Sequence, residues 1–338
     1  MSSTYDVRIG KLISGKRELE GKGRFWLCTP DKEILEVDAN SLEAGVLITS
    51  KDIEDALYEY CLSAIAQYIQ DENNKDVYTF SIFTDSYHGS YIIYINNLAS
   101  LNETVDNDFV RCQKKFLENG NDLYNRTREQ LYQEFKYAEG DYPFMYEDTP
   151  DHLEKWLSIF YSISTESPDF LDIEQNYIFE KQMFDSQLFL IAIDVIHRLQ
   201  NDFIQLDRTD DFIAYVSAAD GVGGDYLTTS QLVRRCVTEN QLHKAMVVVR
   251  KKDLEFEATL QMIKAKSLQE QVSYWVALIE CSEYGEGSMR SFWKTDYEAY
   301  EQLVLLGSSA GAYIQDHLSE NLKKETKKIL EMVLIEIV

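Results

Sequence analysis

From Thr49 onward the apolar positions Ile53, Ala56, Leu57, Tyr60, Cys61, Ala64, Ile65 and Tyr68 recur every three or four residues, which lays them along one side of a helix. The stretch Thr49-Ser50-Lys51-Asp52 has the form of a capped helix start. The pattern then changes. Val77-Tyr78-Thr79-Phe80-Ser81-Ile82-Phe83 and Tyr91-Ile92-Ile93-Tyr94-Ile95 are rich in β-branched and aromatic residues, and they flank the turn-forming Asp85-Ser86-Tyr87-His88-Gly89. That arrangement predicts a hairpin. Helical spacing returns near 105–118, 122–137 and 152–164, and a longer apolar-rich helix is expected over 174–204. Phe212-Ile213-Ala214-Tyr215-Val216 then predicts a late strand.

Upstream, Arg24-Phe25-Trp26-Leu27-Cys28 and Glu33-Ile34-Leu35-Glu36-Val37 predict a second hairpin around Thr29-Pro30-Asp31-Lys32. Downstream, the glycine-rich Asp220-Gly221-Val222-Gly223-Gly224-Asp225 is the strongest break in the chain, and every segment beyond it reads as a helix of about ten residues with short connections. The expected fold class is therefore α+β, a small antiparallel or mixed sheet with packed helices, followed by an all-α helical-hairpin C-terminal part. Three regions follow from it: a β-rich extension over 1–50, an acidic α+β domain over 51–227, and an α-helical domain over 228–338.

Charge sharpens this division. The 338 residues carry 33 Lys and Arg against 58 Asp and Glu, a net charge of −25. Residues 51–227 hold 12 basic and 34 acidic side chains, a net −22, whereas 228–338 hold 14 and 16. Such a balance argues against nucleic acid as a ligand, because neutralising phosphates takes clustered Lys and Arg. It favours a cationic partner. With 45% hydrophobic residues the chain is composed as a packed protein, so disorder is excluded as its general state. Met1 to Lys11 carry no apolar run, and no stretch of about 18 apolar residues occurs, so neither a signal peptide nor membrane insertion is expected. A cytoplasmic protein is the expectation.

Candidate chemistry is sparse. The five cysteines, Cys28, Cys61, Cys112, Cys236 and Cys281, never form a CxxC pair and read as buried thiols. Asp85-x-x-His88 sits in a turn where Asp and Gly serve the backbone. His152, His197, His243 and His317 read as isolated on helices. The 220–225 loop matches neither a P-loop nor GxGxxG, and its aspartates would repel phosphate. No catalytic residue, cofactor or metal is therefore expected. The segment Glu139, Asp141, Tyr142, Phe144, Tyr146, Glu147 and Asp148 interleaves rings with carboxylates, a mixture suited to a protein interface in which rings fill pockets and charges steer approach.

Residues 51–227 resemble the bacterial domain-of-unknown-function family 4303. The resemblance lies in the opening helix followed by Val77 to Asp85, in Tyr142-Pro143-Phe144-Met145-Tyr146, and in Leu206-Asp207-Arg208-Thr209-Asp210-Asp211 running into Phe212 to Val216. It implies a small α+β domain of the kind encoded beside polymorphic toxins and suspected of immunity function. The expected function is an acidic protein-binding module that neutralises a cognate toxin by occlusion. The alternatives are a helical scaffold or adaptor built on 228–338, and an enzyme of unrecognised type.

Overall fold

A computed structural model describes residues 24–42, 44–85, 89–167, 173–181, 187–218, 229–281 and 296–337. The described residues up to 218 belong to one compact unit and those from 229 to another. The chain is an α+β fold with a helical C-terminal part. Within the described residues no helix is long and apolar enough to cross a membrane. The turn residues Ser86 to His88 and the whole Asp220 to Asp225 loop lie outside the described residues.

In the first unit, strands β1 (Arg24–Cys28) and β2 (Ile34–Asp38) form the upstream hairpin, with Arg24 opposite Asp38 and Cys28 opposite Ile34. They do not stand apart as an extension. β1 also pairs with β7 (Tyr177–Glu180), which runs parallel to β3 (Val46–Ile48), giving a sheet in the order β2-β1-β7-β3. Residues 24–48 thus share a sheet with the region expected to be a separate acidic domain. The helix expected over 174–204 is replaced by β7, a helix over Gln187–Arg198 and a 3-10 turn over Leu199–Gln205. A short apolar run such as Tyr177-Ile178-Phe179 fits strand or helix equally, and two strand partners decide the matter. Glycine is needed at the entry to β3: a Cβ on Gly45 would lie 2.7 Å from the Asn176 carbonyl oxygen. That closeness lets Val46 N–H donate to the same oxygen at 2.9 Å.

Helix α1 (Ser50–Gln70) starts as its sequence dictates, since Thr49 and Asp52 cap each other reciprocally. It buries the eight residues of its apolar stripe. β4 (Val77–Asp85) and β5 (Ser90–Asn97) form the second hairpin, β8 (Arg208–Ala218) adds parallel to β4, and β6 (Met145–Tyr146) pairs with β5, for the order β6-β5-β4-β8. The two faces of this sheet differ. On one, Phe80 meets Phe203 at 5.0 Å and the Tyr91 hydroxyl donates to the Leu188 carbonyl at 2.9 Å, so α1 and α5 (Gln187–Arg198) cover an apolar layer. On the other lie α2 (Leu98–Asn119) and α3 (Arg128–Phe135), whose Leu101, Val105 and Leu131 pack with Tyr78, Tyr94 and Tyr142. α4 (Asp151–Thr165) completes the helices of the unit before β7.

The second unit contains α6 (Thr229–Cys236), α7 (Glu239–Ala245), α8 (Val247–Lys264), α9 (Leu268–Cys281), α10 (Asp296–Leu305), α11 (Gly311–Leu318) and α12 (Lys324–Glu336). Trp275, Leu303, Ile314, Leu330 and Val333 are fully buried at its centre. The non-helical backbone of Met246 separates α7 from α8.

Candidate functional site

The segment from Lys136 to Asp148 crosses the tyrosine-rich face of the second sheet and ends on its edge. It begins with a buried cation. Lys136 Nζ bonds Asp211 Oδ2 at 2.7 Å and lies 5.4 Å from the Tyr137 ring centre, 5.8 Å from Tyr78 and 5.9 Å from Tyr132. Burial pushes the Asp211 carboxyl up, but bonds from Lys136 and Thr209 outweigh it and leave the group below its usual range.

The residues expected to form one interleaved face separate into two layers. Tyr142 belongs to the core: it is 7% exposed, its hydroxyl donates to the Lys136 carbonyl at 2.7 Å, and its ring stands edge-on to Tyr78 and Tyr94, each 6.2 Å away. Glu139 is also drawn in. Burial raises its carboxyl above the usual range, with Tyr215 and Ser217 opposing the shift more weakly. Tyr142 is therefore not available to a partner, because a ring already packed between helix and sheet has no surface to offer, whereas Glu139 turns one carboxyl oxygen inward and keeps part of its surface. Phe144 is half-buried against Tyr68, ring centres 5.2 Å apart and nearly perpendicular.

The outer layer consists of Asp141, Glu147 and Asp148, all exposed, together with Met145 at 43% exposure and the half-buried Tyr146. The Tyr146 carbonyl accepts from the Tyr60 hydroxyl at 2.5 Å, which pins the edge strand to α1. Burial pushes the Tyr146 phenol up to about 12, and the negative charge of Asp71 adds to the shift. Glu147 and Asp148 act in the same direction on Tyr60, itself raised to about 12 chiefly by burial. Asp71 was not among the expected residues. It follows α1 directly, so its approach to a strand more than seventy positions later has no local signal.

Beneath the outer layer the sheet carries an unusual row of hydroxyls. Ser81 lies opposite Tyr94 on one side and Tyr215 on the other, so all three share the face that Glu139 covers. Thr79, Ser81, Tyr215 and Ser217 bury hydroxyl oxygens, and Glu139 a carboxyl oxygen, without a hydrogen bond of ordinary geometry. Polar residues at alternate positions Thr79 and Ser81 within the otherwise apolar and aromatic run Val77 to Phe83 were the sequence trace of this row.

Histidines expected to be isolated have partners. His317 Nε2 lies 3.0 Å from Ser273 Oγ and its Nδ1 lies 3.1 Å from the exposed Glu320 carboxylate. Ser273 sits midway along α9, whose backbone N–H groups are taken up by the helix itself, so its own helix supplies no free amides for an oxyanion. His243 Nε2 lies 2.6 Å from Asp253 Oδ2. His152 stands edge-on to Trp156 at 5.1 Å, and His88 lies outside the described residues. Cys28, Cys61, Cys112 and Cys236 are buried thiols outside any disulfide, with the Cys28 thiol pushed up to about 12 by desolvation, far from nucleophilic.

No family model matches the chain, and neither a curated protein nor a solved structure was found similar to it.

Proposed function

We propose that the α+β unit is an acidic protein-binding module that takes a cationic protein and neutralises it by covering its active surface, acting in the cytoplasm. The observation that carries this reading is the segregation of charge: a net −22 over residues 51–227 beside a nearly balanced helical part. The surface best suited to the task is the edge strand β6, where Met145 and Tyr146 offer apolar area within a rim of Asp71, Glu147 and Asp148. Fields of this kind raise association rates by roughly 10 to 1000-fold at low salt, while buried anchors set the lifetime of the complex. The resemblance to the domain-of-unknown-function family 4303 supports a toxin as the partner and immunity as the role.

The test is to isolate the partner from the native cell and measure binding kinetics against salt. A basic partner whose association slows steeply with ionic strength, and slows further with Glu147→Lys and Asp148→Lys, supports the reading. An acidic partner, or association indifferent to salt, overturns it.

A second reading, a scaffold or adaptor, is favoured by α8. Val247, Leu254 and Met262 fall on one side of it at helical spacing and are exposed at 66%, 56% and 56%. Loss of partner capture on Leu254→Asp, with Glu147→Lys silent, would select this reading over the first.

A further inference from the structure

We propose that Glu239, His243 and Asp253 form a binding site for a first-row divalent metal ion in the helical unit. One ligand atom from each of the three lies within 4.8 Å of the others. Glu239 and His243 are four residues apart on α7, and the capping box of Thr238 with Gln241 fixes the turn that aligns them. Asp253 comes from α8. The non-helical Met246 between the two helices folds the second back so that Asp253 faces the first.

The donor chemistry is specific. One imidazole and two carboxylates make a mixed nitrogen and oxygen set that suits zinc and its first-row neighbours, whereas calcium and magnesium favour oxygen alone. Three protein ligands also leave a fourth tetrahedral position open. The Asp253 carboxylate is held by hydrogen bonds that orient it, as a ligating carboxylate commonly is. Arg234 Nη2 donates to Oδ1 at 2.7 Å and to Oδ2 at 2.9 Å, fixing the carboxylate, while Oδ2 also faces His243. The Asp253 side chain is 8% exposed, so its position is set by packing. Glu239 is exposed and supplies the adjustable arm. Zinc to ligand distances are about 2.0 to 2.2 Å. Closing the site therefore draws Glu239 inward and parts His243 Nε2 from Asp253 Oδ2, now 2.6 Å apart, so that the ion enters between them. The Arg234 charge opposes the ion and the two carboxylates favour it, a net of one negative charge before the ion enters.

Zinc titrated into the full chain at neutral pH, followed by isothermal calorimetry and by the thermal melt, tests this. The expected result is one site per chain, a melt raised by zinc, and affinity at least tenfold weaker in both Glu239→Gln and His243→Ala. Because Glu239 is exposed, the melt of Glu239→Gln without zinc is expected to match that of the parent, which separates lost ligation from lost folding. Magnesium alone at the same concentration is expected to leave the melt unchanged. Absence of saturable zinc binding, or binding undiminished in both variants, overturns the site and leaves Arg234, His243 and Asp253 as an ion-pair group only.

Discussion

Asp253 in the helical unit and Glu139 in the α+β unit are both carboxyls taken out of water, and the two units deal with them in opposite ways. Asp253 is surrounded by partners: Arg234 holds both oxygens, and His243 stands 2.6 Å from one of them. Glu139 meets hydroxyls and rings, with no cation among the groups that shift it, and burial pushes it toward its neutral form. A buried carboxyl must be paired or protonated, because an isolated charge in a poorly polarisable interior is too costly. The difference shows two outcomes for a carboxyl removed from water: pairing with a cation, as at Asp253 and also at Asp211 beside Lys136, or a push toward the neutral form, as at Glu139.

The largest effect is expected at Tyr142, whose buried ring packs against Tyr78 and Tyr94 on the face that Glu139 covers. Tyr142→Ala is expected to cost about 4 kcal/mol of stability in urea unfolding, against about 1 for Tyr142→Phe, which loses only the bond to the Lys136 carbonyl. If alanine there is harmless to stability but abolishes partner binding, the ring faces outward and the two-layer description is wrong. Next comes Arg234→Ala. Removing one partner of a buried pair leaves Asp253 exposed to the full cost of desolvation, about 3 kcal/mol, and hydrogen exchange should quicken across α6 to α8 while the first unit keeps its protection.

Glu139→Gln gives a smaller effect with the opposite sign. The folded chain keeps a proton on Glu139 over a pH range in which the unfolded chain has lost it, so stability is full below the ordinary carboxyl range and declines as pH rises through the raised folded value. Glutamine should remove that decline, a gain of about 1 kcal/mol at the alkaline end, read as a flatter plot of unfolding free energy against pH. An unchanged slope would mean that the carboxyl is ionised in the fold. The smallest effect on folding belongs to the outer layer. Glu147→Lys with Asp148→Lys should shift stability by less than about 0.5 kcal/mol while slowing association with a cationic partner severalfold.

How much of this was legible in the sequence depended on the range of the interaction. α1, the β4–β5 hairpin and the upstream hairpin are encoded by local periodicity and turn residues, and they stand where the pattern puts them. β7 was not legible, because what makes Tyr177-Ile178-Phe179 a strand lies about 150 residues earlier in β1 and 130 earlier in β3. The candidate site was half legible for the same reason. Alternation of rings and acids located the segment, but whether Tyr142 turns in or out depends on Tyr78 and Tyr94, which the segment itself does not contain. Likewise His243 looks solitary until Met246 turns the chain and returns Asp253 to it.

Both sheets of the first unit are closed by late strands. β1 waits for β7, and β4 waits for β8 at residues 208–218. A ribosome delivering about 5 to 20 residues each second therefore exposes the unpaired edge of Arg24–Cys28 for roughly 7 to 30 s before Tyr177 emerges. During that interval the nascent chain presents open strand edges to its neighbours, the condition that favours chaperone capture or mispairing between chains. Assembly of this unit is consequently governed by long-range closure, and slowing translation between residues 85 and 177 should lengthen the vulnerable period without altering the final fold.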